Sequence, residues 1–266
     1  MKLFIAPDYH DLLARHGMNT FAGFWGLPFN WVENPNERRK GWSGTSFHTL
    51  NDDKEGPFLM FVKRQENHNF RSILHPLRGL PTFFREFLNI HRIKQLGIPT
   101  VTPVFYGHRL KDGNLQAVLV LVALDGYSEL NPVFGDPSVP EPVRHAILRS
   151  AADLIWSMHS HRLQHRSLSG KHIMIKLEKN GAFDLRIIDL EQTRHILRPV
   201  NTPARDLEKF IRHTSTLTSE EHAEFVRHYV QHLKPDMRDT FTKIINRRIV
   251  EKWPTSKLSV WIKDNE

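Results

Sequence analysis

Residues 143–161 form the pattern that most constrains the fold of this chain. Their apolar residues recur at helical spacing and fall on one stripe, so they predict an amphipathic helix with a buried face. Residues 164–171, which follow, show no such periodicity and predict a loop. A long amphipathic helix followed directly by a short polar loop occurs in few folds. It therefore limits which elements can precede the helix and follow the loop.

The loop leads into a predicted hairpin and then into an acidic residue. Residues 173–175 and 185–188 have the composition of strands and flank Asn180–Gly181, a dipeptide typical of tight hairpin turns. Asp189 follows the second strand directly. An unpaired carboxylate beside a buried strand is costly, so Asp189 predicts a metal ion or a hydrogen-bond network at this point.

The first 122 residues are rich in strands and contain one main helix. Turn residues bound short apolar runs, and Pro81 fits the first turn of a helix that Gly97 ends. After residue 203 helical patterns dominate. The predicted strands are 57–63, 100–109 and 115–122, and the predicted helices are 81–96, 143–161, 206–213, 219–233 and 236–249.

This order of elements predicts an α+β, two-lobed, protein-kinase-like fold. Residues 1–122 form the small strand-rich N-lobe, with the ATP-covering strands and one main helix, and residues 123–266 form the larger, mainly helical C-lobe. ATP is expected in the cleft between the lobes.

Composition excludes several classes of protein. The chain has no cysteine, which excludes a disulfide-stapled domain, a thiol nucleophile and a cysteine-bound metal site. The N-terminus lacks the apolar run of a signal peptide, and the longest apolar run, 117–124, is too short to cross a bilayer. We therefore expect a soluble, cytoplasmic protein. The net charge of +8 favours an anionic partner or, equally, a solvated basic surface.

Lys63 and Glu86 predict an ion pair. Lys63 ends an apolar strand, where an inward-facing lysine needs a partner, and Glu86 lies between aromatic residues in the next helix. A strand lysine paired with a helix glutamate positions the phosphates of ATP in kinases. Each residue alone is better explained as a solvated surface charge, but their joint occurrence favours the ion pair.

Residues 41–46 are a candidate phosphate-covering turn. Gly41 and Gly44 would let backbone N–H groups approach the phosphates closely, with Ser43 between them. No lysine followed by serine or threonine comes after the second glycine, so this is not a Walker A motif. A plain surface turn is the alternative interpretation.

The ordered set of motifs resembles the lipopolysaccharide kinase family, which includes Kdo kinases, core heptose kinases and InaA-like proteins. The resemblance implies a kinase-like fold, ATP with Mg²⁺, and a sugar hydroxyl of the lipopolysaccharide inner core, on heptose or Kdo, as acceptor. It also implies a reaction at the cytoplasmic face of the inner membrane, which gives the basic surface a partner. The matching segments are 61–65, 81–87, 168–173, 188–191 and 205–207.

The chain departs from the family pattern at Ser167. In the family that the chain resembles, the residue after His165-Arg166 is the aspartate that orients and deprotonates the acceptor hydroxyl. Serine cannot serve as that base. Loss of a general base typically lowers the rate by about 10²–10⁴-fold. A pseudokinase that binds nucleotide or a partner without phosphoryl transfer is therefore the alternative function.

The remaining candidate site residues follow from the motif order and, for His172, from the resemblance. Asp189 is the metal ligand, and His172 stands where protein kinases place a metal-binding asparagine. Glu191 is a candidate substitute base or second metal ligand, and Asp206, at the start of the next helix, is expected to hold the catalytic loop through backbone N–H groups. Arg166, Ser167, Lys171 and His172 are expected to shape the acceptor site.

Three further interpretations follow from composition and spacing. His159, His161 and His165 do not share a helix face and are expected to be ordinary surface histidines. The basic, apolar stretch 234–263 predicts a core-packing helix, or a segment docked on a membrane. A nucleic-acid-binding function rests on charge alone and is disfavoured, whereas a kinase with a protein substrate stays open.

Overall fold

The computed structural model describes residues 2–38, 41–72, 75–196 and 201–252. The chain divides into two compact units: Met1–Arg92 with Val101–Asp125, and Ile93–Thr100 with Gly126–Glu266. Strands and helices both contribute extensively, so the α+β class is confirmed. The part of the predicted basic and apolar stretch 234–263 that follows residue 252, with Trp253 and Trp261, lies outside the described residues.

The first unit is built on an antiparallel sheet. Its six strands lie in the order β1-β7-β8-β4-β3-β2, and β5 and β6 form a separate hairpin. The elements are β1 (Lys2–Ile5), α1 (His10–Arg15), α2 (Phe21–Trp25), β2 (Asn36–Arg38), β3 (Gly41–Asp52), β4 (Gly56–Glu66), β5 (Asn69–Ser72), β6 (His75–Pro81), α3 (Thr82–Gln95), β7 (Pro103–Lys111) and β8 (Asn114–Val122).

Strand β4 shows how alternation places side chains on opposite faces of this sheet. Met60, Val62 and Arg64 are fully buried at every second position, and the first two belong to the apolar core of the unit. Lys63, between them, points to the other face, where it meets Glu86 of α3. The period of two therefore decides which cation is buried in the core and which faces the helix.

Arg64 fastens the loop after α2 to the sheet. Its guanidinium donates hydrogen bonds to the carbonyl oxygens of Leu27 and Pro28 at 2.5 and 2.7 Å, and it lies 4.0 Å from the centre of the Phe29 ring. Burial lowers the pKa of Arg64 to about 10. The guanidinium stays charged at neutral pH, and backbone carbonyls replace its lost hydration.

The second unit combines short strands with five helices in its described part. Strands β12, β11 and β9 form one small sheet, and β10 pairs with β13. The elements are β9 (Ser128–Glu129), α4 (Leu130–Gly135), α5 (Glu141–Ser160), β10 (Leu163–Gln164), β11 (Ile173–Leu177), β12 (Phe183–Ile187), β13 (Arg194–His195), α6 (Asn201–Arg212), α7 (Ser219–Gln231) and α8 (Pro235–Lys252).

The long helix α5 has the buried stripe that its sequence predicts. Ile147, Leu148, Ala151 and Ile155 are at most 1% exposed. The predicted hairpin is also confirmed, since β11 and β12 pair antiparallel from Ile173↔Ile187 to Leu177↔Phe183. No helix in the described part of the chain is long and apolar enough to cross a membrane.

Four predicted helix starts differ from the observed ones, by one residue for α3 and α8, by two for α5 and by five for α6. Pro81 is the last residue of β6, where it pairs with Asn69, so α3 begins at Thr82. The largest difference is at α6, which begins at Asn201 rather than at residue 206. Pro203 lies in the first turn of α6, where its missing N–H has no helical partner to lose.

We expect Arg64→Met to lower the free energy of unfolding by about 2–4 kcal/mol, because it removes the hydrogen bonds that a fully buried guanidinium donates to the carbonyl oxygens of Leu27 and Pro28. Urea denaturation measures the loss. Exposed Arg92 on α3 provides the matched control, and Arg92→Met should change stability by less than about 0.5 kcal/mol. Equal stabilities for the two variants would contradict the anchoring role.

Candidate kinase site

The predicted ion pair between Lys63 and Glu86 is present in the first unit. The Lys63 ammonium lies 2.7 and 2.5 Å from the two carboxylate oxygens of Glu86, so it contacts both. The Glu86 side chain is 1% exposed and that of Lys63 is 15% exposed. The Lys63 ammonium also lies 5.1 Å from the centre of the Phe83 ring. A mostly buried cation is thus held between a strand and a helix, with part of its surface open.

The turn predicted at residues 41–46 was wrong. Gly41, Ser43 and Gly44 all lie in β3, where Ser43 and Gly44 pair with β4 and Gly41 pairs with Arg38 of β2. The glycines are explained by close packing: a Cβ at Gly44 would lie 2.6 Å from the Trp31 ring, and one at Gly41 would lie 2.4 Å from the backbone of Asn67. Turn composition therefore misled the prediction, because close contacts select glycine as strongly as turns do.

Asp206 organises the loop at residues 164–171 of the second unit through backbone N–H groups, as predicted. One carboxylate oxygen accepts the backbone N–H of His165 at 2.7 Å, and the other accepts that of Arg166 at 2.9 Å. The Gln164 side chain adds a donor at 3.2 Å. Asp206 lies in the interior of α6 rather than at its start, and its side chain is fully buried. The loop is thereby fixed to a rigid helix.

His159 completes this network. Its Nε2 donates to Asp206 at 3.3 Å, and its Nδ1 lies 2.7 Å from the hydroxyl of Tyr229 on α7. Burial raises the pKa of the Asp206 carboxyl. The hydrogen bond from His159, the imidazoles of His159 and His165 and the Arg166 N–H outweigh burial, so the pKa lies below its ordinary value. Asp206 is therefore ionised at neutral pH.

The prediction of surface histidines was wrong for His159 and His165, which are buried, and it is confirmed for His161, which is exposed. His165 donates from Nε2 to the carbonyl oxygen of Ile188 at 2.9 Å. A neutral imidazole with a proton on Nε2 has its lone pair on Nδ1. That Nδ1 lies 3.4 Å from the Ser167 hydroxyl oxygen, so serine and imidazole form a donor–acceptor pair.

Asp189 and His172 lie together. The Nε2 of His172 is 3.3 Å from a carboxylate oxygen of Asp189, and its Nδ1 is 3.2 Å from the Ser169 hydroxyl. The His172 ring stacks on His165 with 5.3 Å between ring centres. Asp189 was expected beside a buried strand, but its side chain is 37% exposed, so solvent reaches the carboxylate.

The backbone at Asp189 and Arg166 is left-handed, with φ of 57° and 74°. Residues other than glycine rarely adopt this region, and the strain concentrates at functional sites. Asp189 begins the short 3₁₀ turn Leu190–Gln192, which contains the half-buried Glu191. The Asp189 carboxylate is the oxygen ligand that Mg²⁺ prefers, whereas the imidazole of His172 is a ligand that Mg²⁺ takes less readily.

A basic pocket of about 330 Å³ opens beside Ser167. Its lining combines two hydroxyls with three basic side chains, and Lys209 also donates to the carbonyl oxygen of Arg166 at 2.5 Å. The lining residues are Ser167, Leu168, Ser169, Lys171, Lys209 and His213. Such a lining suits a ligand that carries both hydroxyl and anionic groups.

Sequence reasoning missed Lys209 and His213. They are four residues apart, at the end of α6 and just past it, and Arg205 lies four residues before Lys209, so the three fall on one helix face. Burial lowers the pKa of Arg166, as do the nearby charges of Arg194 and Arg205, although Asp206 opposes the shift. This four-residue spacing was the feature of the sequence from which a basic helix face beside residues 164–171 could have been predicted.

Residues 22–229 match the sequence model of the Lipopolysaccharide kinase (Kdo/WaaP) family. This match covers well over half of the chain. The chain belongs to the lipopolysaccharide kinase family. It is also 32% identical over 200 residues to Protein InaA of Escherichia coli (strain K12), and the alignment covers 73% of this chain and 88% of that protein. Family membership indicates a kinase that uses ATP.

We expect Asp206→Asn to lower the free energy of unfolding by about 2–4 kcal/mol at pH 7, because one amide cannot accept all the bonds of the carboxylate. The folded pKa is depressed, so the contribution of Asp206 is complete above the ordinary value of 3.8 and is lost as pH falls below it. Denaturant unfolding measured from pH 7 to 3 should show the difference between parent and variant shrinking below about pH 4.

Exposed Asp239 of α8 provides the control for this measurement. Asp239→Asn should change stability by less than about 0.5 kcal/mol at pH 7. An Asp206→Asn difference that persists unchanged down to pH 3 would show that ionisation of Asp206 does not support the loop.

Proposed function

We propose that this protein is an ATP-dependent kinase that phosphorylates a sugar hydroxyl of the lipopolysaccharide inner core, on heptose or Kdo. The observation that carries the proposal is the ion pair of Lys63 with Glu86, in a chain of the lipopolysaccharide kinase family. A charged pair with so little exposure loses hydration, and replacing such pairs with apolar residues is often neutral or stabilising. Its presence is explained if the lysine also contacts an anionic ligand.

In this proposal the two units correspond to the two lobes of a kinase-like fold. Lys63 would bind the phosphates of ATP, and Glu86 would hold the lysine in place. Because Glu86 contacts the ammonium through both oxygens, the lysine is already oriented before nucleotide binds. The assignment of Gly41, Ser43 and Gly44 to ATP stays a prediction, now for a strand rather than a turn.

Asp189 would hold Mg²⁺. When bound, the ion neutralises charge on the transferring phosphoryl group. His172, with its Nε2 directed at Asp189, would hydrogen-bond the carboxylate or a ligand beside it. Glu191, in the turn that follows, stays a candidate second acidic group.

Ser167 would bind the acceptor hydroxyl. Its oxygen would accept that hydroxyl's proton as its own proton passes to Nδ1 of His165, 3.4 Å away. The hydroxyl oxygen then bonds to the γ-phosphorus as the bond to ADP breaks. A weak donor–acceptor pair replaces the carboxylate base, so we expect transfer to be slow rather than absent.

The basic pocket would bind the acceptor sugar. Lys171 and Lys209 provide ammonium groups for the carboxylates or phosphates of an inner-core glycan, and Ser169 provides a hydroxyl. The net charge of +8 supports peripheral contact with anionic lipid at the cytoplasmic face of the inner membrane. Such contact would bring the pocket to a membrane-anchored acceptor.

A pseudokinase is the second candidate, and Ser167 is the observation that favours it. In that case nucleotide binding at Lys63 and Asp189 would regulate a partner, and no phosphoryl group would be transferred. Both candidates require the nucleotide site, so binding and transfer need separate tests.

We expect Mg²⁺-dependent ATP binding that Lys63→Ala and Asp189→Ala each weaken at least about tenfold, since each removes a charged contact. Titration calorimetry with and without Mg²⁺ measures the affinity. Exposed Lys111 and Asp125 provide matched controls, and Lys111→Ala and Asp125→Ala should bind ATP as the parent does. A parent that binds no ATP would refute both the kinase and the nucleotide-binding pseudokinase.

We expect Ser167→Asp to raise the rate of phosphate transfer to purified inner-core lipopolysaccharide by about 10²-fold or more, because a carboxylate base is restored. Transfer of radiolabelled phosphate from ATP measures the rate. Ser167→Ala is the control, and it should fall below the parent because it removes the hydroxyl that contacts His165.

The same assay separates the two candidates. If parent and Ser167→Asp both bind ATP and neither transfers phosphate, the pseudokinase is favoured. If Ser167→Ala equals the parent, the serine hydroxyl has no part in transfer.

A further inference from the structure

Three side chains outside the kinase site converge on one point of the second unit. His228 on α7 and His232, which caps it, are four residues apart and therefore lie on the same helix face. Their Nε2 atoms lie 2.8 and 2.6 Å from the same oxygen of Asp153, a residue of α5. All three ligand atoms lie within 4.8 Å of one another.

This donor set has the chemistry of a transition-metal site. Two imidazole nitrogens and one carboxylate oxygen bind Zn²⁺ in many proteins, with a fourth position left to water. Both rings contact Oδ1 of Asp153, so the three donor atoms surround one small volume.

The spacing of the atoms allows an ion after a small adjustment. Tetrahedral Zn²⁺ with bonds of about 2.0 Å needs ligand atoms about 3.3 Å apart, several tenths of an ångström more than observed. The three side chains are 51%, 23% and 32% exposed for Asp153, His228 and His232, so each can move and water can occupy the fourth position.

Neighbouring groups orient the ligands and leave a path for the ion. Trp156, one turn after Asp153 on α5, stacks on the His232 ring at 5.5 Å and 9° and so fixes its plane. His228 lines an open pocket of about 410 Å³ together with Glu224, which gives access from solvent. An oriented ligand and an entry path are what a binding site requires beyond its donor atoms.

We propose that Asp153, His228 and His232 form a binding site for a divalent transition-metal ion of the Zn²⁺ type, which links α5 to α7. The site shares no residue with the candidate kinase site, and it does not depend on the proposed function. Its ligands come from helices that pack extensively on each other, so a bound ion stabilises that contact.

The test is a Zn²⁺ titration of the untagged full-length protein by calorimetry, with Co²⁺ absorption as a report on coordination. We expect one equivalent to bind, with visible bands of a four-coordinate ion. His228→Ala and His232→Ala should each weaken binding at least tenfold and abolish those bands. His161→Ala removes an exposed histidine at the end of α5 and should bind as the parent does.

Asp153→Asn keeps the size of the side chain and removes its charge. It therefore tests Zn²⁺ binding even if a histidine variant folds poorly. It should weaken Zn²⁺ binding at least tenfold and reduce the rise in Tm that Zn²⁺ causes in the parent. A parent that binds no Zn²⁺, or binding that Asp153→Asn and the two histidine variants leave unchanged, would overturn the proposal.

Discussion

The buried carboxylate of Asp206 is the constraint on which the second unit depends. It accepts two consecutive backbone N–H groups of the loop and a further hydrogen bond from the imidazole of His159. A buried carboxylate would be costly without these donors, and the loop N–H groups would be costly without the carboxylate. The carboxylate and the N–H groups therefore stabilise each other, and their hydrogen bonds hold the strained backbone at Arg166.

In the first unit, strand β4 carries two adjacent cations that each need a partner. Arg64 and Lys63 are adjacent, yet alternation sends the guanidinium into the core and the ammonium towards α3. The guanidinium is compensated by carbonyl oxygens, and the ammonium by the carboxylate of Glu86. Only the second cation keeps exposed surface, and it is the one that binds the phosphates in the proposed function.

The contact between two neighbouring, strongly patterned elements was predictable from the sequence. The pairing of Lys63 with Glu86 could be inferred because each lies in a strongly patterned element and burial demands a partner. The partner of His228 and His232 could not be inferred, because Asp153 is 75 and 79 residues away from them along the chain. Periodicity shows which face of a helix is buried, but not which other helix covers it.

The shape of the loop and the chemistry proposed for it rest on different residues. Asp206 shapes the loop through the backbone N–H groups of residues 165 and 166, and Ser167 takes no part in those bonds. A substitution at position 167 therefore leaves in place the bonds that fix the loop. In the proposed function, one amino-acid change at this position alters the rate of transfer while the scaffold around it stays the same.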